Sequence, residues 1–215
     1  MAREVTVGRV KDIPRATVGR LARYLQGLDE VASLTVSSND IANAVGVSAA
    51  QVRRDLSYLG HQGIRGVGYE TDHLRSTLRR ELGLLENVGV AIVGAGHLGQ
   101  ALAGYGGFDE RGFTISGLYD VDPRKVGNVV HGYPIKHLDR LTDDARARRF
   151  AIAIIATPAE AAPEVLRRLA ESGVRSVLNF APAALRPPSS VEVRNVDLSV
   201  ELQILSFYRG RNGQG

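Results

Sequence analysis

Three glycines at fixed spacing, Gly94-x-Gly96-x-x-Gly99, lie in the run AIVGAGHLGQALAGYGG, after an apolar stretch and before a helical one. The chemistry this spacing offers is carried by the backbone. The first glycine permits a tight turn, and the second lets a pyrophosphate approach the chain. The third lets the following helix sit close to the strand, so that its free N–H groups face the phosphates. Ala95, His97 and Leu98 complete that loop. The pattern asks for an acid at the end of the next strand, about 20 residues on. Asp120, which ends FTISGLYD 24 residues after Gly96, fits as the holder of an adenosine ribose. An aspartate there favours NAD(H) and repels a 2′-phosphate. The nearby Arg124 and Lys125 leave NADP(H) open, and Asp122 before Pro123 reads equally well as a turn-former.

A second chemical cluster lies far from the first, in SAAQVRRDLSYLGHQGIRGVGYE. Ser48, with Gln51 three residues later, is a capping-box pattern that opens a helix. Val52, Leu56 and Leu59 share one face of it, Gln51, Arg54 and Tyr58 another, with Arg53 and Ser57 beside them. Arginine pairs bidentately with guanine O6 and N7, glutamine with adenine, and serine and tyrosine reach phosphates. Three glycines then surround Ile64, Arg65, Val67 and Tyr69, which reads as a short hairpin with Arg65 and Gly66 at its tip. An arginine there suits a narrow minor groove, and Ser48, Gly66 and Tyr69 join Gln51, Arg53, Arg54, Ser57, Tyr58 and Arg65 as the expected DNA contacts. The bland alternative is a solvated helix face followed by a glycine loop.

Other chemistry is missing. A dehydrogenase needs an acid/base beside the reacting carbon. The five histidines (His61, His73, His97, His131, His137) form no second constellation, and His97 follows Gly96 in the phosphate loop. No metal-ligand spacing is visible, and with no cysteine there is no disulfide and no thiol chemistry. The expectation is a chain with no catalytic residues, one that binds a dinucleotide as a signal and leaves it unchanged. A net charge of +4 divides evenly: 12 Lys+Arg against 10 Asp+Glu up to Asn87, 15 against 13 beyond. Total charge therefore singles out neither part. No apolar run reaches the roughly 18 residues of a membrane span, and the first residues carry no signal-like apolar core. A cytoplasmic protein with no membrane partner is expected.

These residues need elements to hold them. Met1 to Lys11 read as a loose arm. Pro14 starts a helix striped by Leu21, Leu25 and Leu28. In TVSSNDIANAVGVS, Ser38 is a candidate N-cap and Gly46 a stop, so two short helices meet at VGVS, the outline of a helix-turn-helix. A helix over 72–86 connects to the rest. From residue 88, VGVAIVG, FTISGLYD, FAIAIIA and VRSVLNF alternate with helical stretches near 98–105, 138–148 and 159–172, and VEVRNVDL adds a strand. That is a parallel sheet covered on both faces. SVELQILSFYR closes the chain as an apolar-striped helix before a loose GRNGQG tail. The fold class is α/β: a winged helix-turn-helix domain (1–87), a Rossmann-like parallel-sheet domain (88–196) and a C-terminal helix with tail (197–215).

The motifs IPRATVGRLARYLQGL, VRRDLSYLGHQGIRGVGYE, GAGHLGQALAGYGGF, YDVDPRKVG, LNFAP and NVDLSVELQILSFY resemble the Rex family of redox-sensing transcriptional repressors, in family order from about Ile13 to Tyr208. The resemblance implies a homodimer whose C-terminal helix is swapped between the two domains of the partner subunit. It implies palindromic double-stranded DNA operators and release by NADH, with NADH and NAD⁺ as ligands that are not consumed. It assigns Gly94 to Gly99 to the pyrophosphate and Asp120 to the ribose, with Lys125 beside it. Tyr105 and Asp197 become the pair that responds to the nicotinamide, and Thr157, Pro158, Asn179 and Phe180 fall at strand ends, where such sheets place ligands. Taken alone, Tyr105 also reads as packing at a helix end and Asp197 as an N-cap. Gln26 departs from the family, in which a basic residue often follows the Tyr-Leu of the first helix and can pair with the Asp197 equivalent. An NAD-dependent oxidoreductase with an accessory domain, and a regulator responding to CoA or another nucleotide, are the alternatives.

Overall fold

The computed structural model describes residues 13–60 and 63–212. The expected N-terminal arm, His61 and the end of the tail lie outside the described residues. The chain divides into two compact units, residues 1–86 and 87–215.

In the first unit α1 (Arg15–Asp29), α2 (Ser38–Val45), α3 (Ala49–Ser57) and α4 (Thr71–Glu81) surround one core. Leu21, Tyr24, Leu25 and Leu28 of α1 meet Ile41, Val52, Leu56, Leu74 and Leu78 there. Fully burying each aliphatic side chain contributes about 1.5–3 kcal/mol, so the helical stripes decide the arrangement. Ser37, not Ser38, caps α2: its hydroxyl accepts from the Asp40 N–H at 3.2 Å and its own N–H donates to Asp40 at 2.9 Å. Only Ser37 stands three residues before an acid, so only it can close that box. Gly46 ends α2 at φ 73°, as a left-handed stop requires. Two short strands, β1 (Thr35–Val36) and β2 (Tyr69–Glu70), pair antiparallel. The expected helix over 72–86 stops at Glu81, because Gly83 turns left-handed (φ 71°) and the Leu84 N–H closes back on Arg79 O at 2.8 Å.

The second unit is a seven-stranded sheet: β3 (Val88–Val93), β4 (Phe113–Asp120), β5 (Val129–Val130), β6 (Tyr133–His137), β7 (Ile152–Ile155), β8 (Ser176–Asn179) and β9 (Glu192–Asn195), in spatial order β5-β6-β4-β3-β7-β8-β9. All neighbours are parallel except the β5–β6 hairpin. Alternation along the strands sends Ala91, Val93, Ala153 and Ile155 to one face, under α6 (Arg140–Arg146) and α7 (Ala162–Glu171). Val90, Ile92 and Ile154 go to the other, with α5 (His97–Ala103). The chain runs outward from β3 through β4 to β6, then returns to place β7 on β3's other side. The reversal makes the C-terminal ends of β3 and β7 the crevice where open sheets hold ligands.

The final helix, α8 (Leu198–Asn212), carries an apolar face broader than the expected stripe. At 100° per residue, Leu198, Val200, Leu202, Ile204, Leu205, Phe207 and Tyr208 spread over an arc of about 220°, with Ser199, Gln203 and Ser206 on the remainder. All seven apolar residues are exposed, Leu202 to 66%. An apolar arc wider than half the helix is suited to burial on more than one side.

Candidate functional site

The phosphate loop joins β3 to α5 at the crevice. A Cβ on Gly99 would stand 1.8 Å from the Gly94 carbonyl oxygen, and one on Gly94 (φ 105°) 2.5 Å from Ala156 O. Both glycines are demanded by the protein's own packing. Gly96 is different: nothing lies within 4 Å of its Cβ position, so the space before it is open. Gly96 is also the N-cap of α5 and sets no side chain over its first turn. His97 and Leu98 begin that helix.

Asp120 holds this loop from β4. Its Oδ2 accepts from the Ala95 N–H at 2.8 Å and from Lys125 Nζ at 3.0 Å, and its Oδ1 from the Asp122 N–H at 2.9 Å. Burial (8% exposed) opposes its ionisation, but these donors outweigh it and hold the carboxyl below the usual carboxylate range. A carboxylate has about four acceptor positions, so one remains, on Oδ1, for a ribose hydroxyl. Arg124 is engaged by Asp122 through Nε at 3.0 Å and Nη2 at 2.8 Å.

Across the crevice, Thr157 and Pro158 follow β7. The Thr157 hydroxyl is buried with no partner in the protein, the kind of group a bound phosphate or ribose would satisfy. Asn179, at the end of β8, is fully buried. It gives both amide hydrogens to the protein, at 3.1 Å to Ala181 O and 2.9 Å to Asn195 Oδ1, and accepts the Ala181 N–H at 3.0 Å. It shapes the loop that follows. Phe180, Leu98 and Asp197 line a cavity of about 530 Å³ on that loop. Asp197 also caps α8, accepting from the Ser199 N–H at 2.9 Å and hydroxyl at 2.6 Å, which lowers its pKa.

Tyr105 stands elsewhere. Beyond the C-terminus of α5 and 55% exposed, its ring lies edge-on to Phe108 at 5.1 Å and folds over Gly107. It lines a cavity of about 420 Å³ over the beginnings of the strands, with Val90, Phe113 and Ile152. Tyr105 and Asp197 therefore occupy different cavities of one chain, the first over the beginnings of the strands and the second beyond their ends.

In the first unit, Arg53, Arg54 and Ser57 are exposed on α3. Arg53 donates to Ser38 Oγ at 2.9 Å, and Ser57 donates to Arg54 O at 2.7 Å. Tyr58 is half-buried at the end of α3. The Ser48 hydroxyl caps α3 by accepting the Gln51 N–H at 3.2 Å, but the expected box closes only half way. The Gln51 side chain turns instead to Asp55, at 2.9 Å. Ile64 and Gly68 exchange backbone bonds at 2.8 and 2.9 Å, presenting Arg65 and Gly66 at a glycine turn. That turn borders a groove of about 430 Å³ whose lining includes Ser37, Ser38, Arg53 and Arg65. Tyr69 is a correction. Expected as a DNA contact, it is 7% exposed, belongs to the core and forms the groove's floor, where burial raises its pKa.

Sequence reasoning missed Asp55. Fully buried, it accepts from Arg20 Nε at 2.6 Å and Nη2 at 2.8 Å, from Tyr24 OH at 2.7 Å and from Thr17 Oγ1 at 3.2 Å, besides Gln51. A signal was present: Asp55 sits three residues after Val52 and four before Leu59, on the apolar face of its helix. An acid there needs partners. Among the described residues, no group of His, Cys, Asp and Glu could hold a metal ion, and no helix is long and apolar enough to cross a membrane.

Comparison with known proteins covers both units. Residues 12–57 match the family model described as "Putative DNA-binding protein N-terminus", and residues 86–183 match "CoA binding domain". The chain is 49% identical over 206 residues to the redox-sensing transcriptional repressor Rex of Streptomyces avermitilis, covering 94% of this chain and 82% of that protein. It is 46% identical to the Rex of Syntrophomonas wolfei, covering 96% and 100%. Two solved structures of RSP are similar. One, in complex with β-NAD⁺ and operator DNA, has a TM-score of 0.86, with 31% identity over 94% of this chain and 95% of that one. The other, with β-NADH, has a TM-score of 0.83, with 30% identity over 94% and 97%.

Proposed function

The chain belongs to the Rex family of redox-sensing transcriptional repressors, and we propose that it binds palindromic operators as a homodimer and leaves them when its dinucleotide is NADH. It is a regulator, not an enzyme. The observation that carries this reading is the pairing, in one chain, of an open phosphate cradle with an exposed basic recognition helix. Gly96 and the first turn of α5 would hold the pyrophosphate, and Asp120 the adenosine ribose through its remaining acceptor position. Thr157 would donate or accept through its unpartnered hydroxyl. The redox state of the bound nicotinamide supplies the signal.

A homodimer is supported by two features. Helix α8 exposes apolar side chains over more than half of its circumference, and Tyr105 and Asp197 stand apart within one chain. A second copy that lends its α8 would cover the first and bring its own Asp197 to Tyr105. Gln26 carries no charge, so the ion pair that relatives can make with that aspartate is not open to this chain. Two recognition helices would enter successive major grooves, roughly 34–36 Å apart. Work of this kind is done in the cytoplasm.

Sedimentation and competition binding test the reading together. A dimer at micromolar concentration is expected, and NADH should bind at least tenfold more tightly than NADPH, because Asp120 repels a 2′-phosphate. CoA should not compete. The "CoA binding domain" match gives that arm its point: displacement of NADH by CoA would move the ligand assignment, and a monomer would remove the shared site.

A further inference from the structure

The side chains expected to read bases differ in how firmly they are held. Arg54 projects from α3 into solvent, whereas Gln51 is fixed twice. Its N–H is bound by Ser48, and its amide nitrogen lies 2.9 Å from Asp55 Oδ1. That oxygen also receives Arg20 Nη2 and Thr17, while Oδ2 receives Arg20 Nε and Tyr24. Five donors fill a carboxylate that has about four acceptor positions. The amide of Gln51 can therefore face Asp55 in one sense only, since the reversed amide would set its carbonyl oxygen against a carboxylate oxygen. A primary amide has two N–H groups. Asp55 uses one, and the other remains with Oε1 as the edge that pairs with adenine N7 and N6. Gln51 lies in the first turn of α3, the part of a recognition helix that meets base edges.

Resting on the reading of α3 as the operator-recognition helix, we propose that Asp55 is a positioning residue that fixes the Gln51 amide, so that the helix selects adenine at one position of each half-site. Arg20 and Tyr24 keep Asp55 charged and in place from α1. Of these two residues only Gln51 touches a base, and Asp55 acts through it.

The test uses the full-length chain and a library of duplexes with randomised half-sites. Wild type should select adenine at one position. Gln51→Ala and Asp55→Asn should each reduce that preference by about tenfold or more, leave the other positions unaltered, and combine with no further loss. A uniform fall in affinity for Asp55→Asn, with the adenine preference intact, would make Asp55 a purely structural residue and overturn the proposal. So would a Gln51→Ala chain with every preference intact. Selection of no sequence by wild type would instead overturn the operator reading itself. Should Asp55→Asn fail to fold, the side-chain NH₂ signals of Gln51, assigned through Gln51→Ala, decide in the wild-type protein. One proton shifted downfield with slowed exchange is expected. The averaged signals of a rotating amide would contradict the proposal.

Discussion

Asp55 and Asp120 are both buried acids, one in each unit, and they do their positioning in opposite ways. Asp55 is held by side chains, from Arg20, Tyr24, Thr17 and Gln51, and what it orders is a side chain. Asp120 is held mainly by backbone N–H groups, from Ala95 and Asp122, and what it orders is a stretch of backbone. The difference follows from the ligands each unit faces. Base edges differ in donors and acceptors and must be met by chosen side chains. A pyrophosphate is the same in every dinucleotide, and bare N–H groups serve it. One unit should therefore fail through loss of particular side chains, the other through addition of almost any side chain.

The sharpest way to test that contrast is Gly99→Ala. The new Cβ would stand 1.8 Å from a backbone oxygen that cannot move aside. NADH affinity should fall by about 100-fold or more, read by fluorescence titration, with operator affinity kept. Next comes Arg53→Ala with Arg54→Ala, which should weaken operator binding by about 3 kcal/mol and leave NADH affinity intact. Loss of both activities would mean the two units do not separate as described.

Asp55→Ala should destabilise the first unit by about 3 kcal/mol, the lower end for a broken buried pair because Arg20 is partly exposed. Urea unfolding followed by circular dichroism measures it. Acid should act on both aspartates in the same sense. Each carboxyl is held below its ordinary value near 3.9, so each stabilises the fold fully above that pH. The contribution is lost as pH falls from there through the lowered native pKa. Between pH 5 and 8 neither group should alter stability, and Asp55→Asn should flatten the acid limb of the unfolding curve. The smallest effect is expected from Lys125→Met, a few-fold change in NADH affinity, because two backbone donors still hold Asp120.

The same contrast explains what could be read from the sequence. A backbone site needs glycine where nothing else fits, so Gly94 and Gly99 announce the crevice, and Asp120 follows from the strand that ends beside it. Strands β3, β4, β7 and β8 are legible as apolar runs because both of their faces are covered. A site held by side chains leaves a fainter mark: Asp55 is one acid in an arginine-rich helix, and its partners on α1 lie 31 to 38 residues away. Tyr69 was misplaced because aromatic character beside a glycine turn suits a DNA contact and a core equally. The two-residue strands β1 and β5 are too short to show a period. Helix α8 is legible as apolar, and the breadth of its apolar arc, more than half the circumference, suits it to burial on more than one side.

One chain couples these two units, reading a dinucleotide in one and releasing DNA from the other. The direct measurement is fluorescence anisotropy of a duplex selected by the chain, at fixed salt, with NADH and NAD⁺ titrated separately and then as a ratio at constant total. Release by NADH, reversed by NAD⁺, is predicted, with a coupling of about 1–3 kcal/mol between the sites. Operator affinity that stays constant across the whole ratio, with NADH bound, would contradict it.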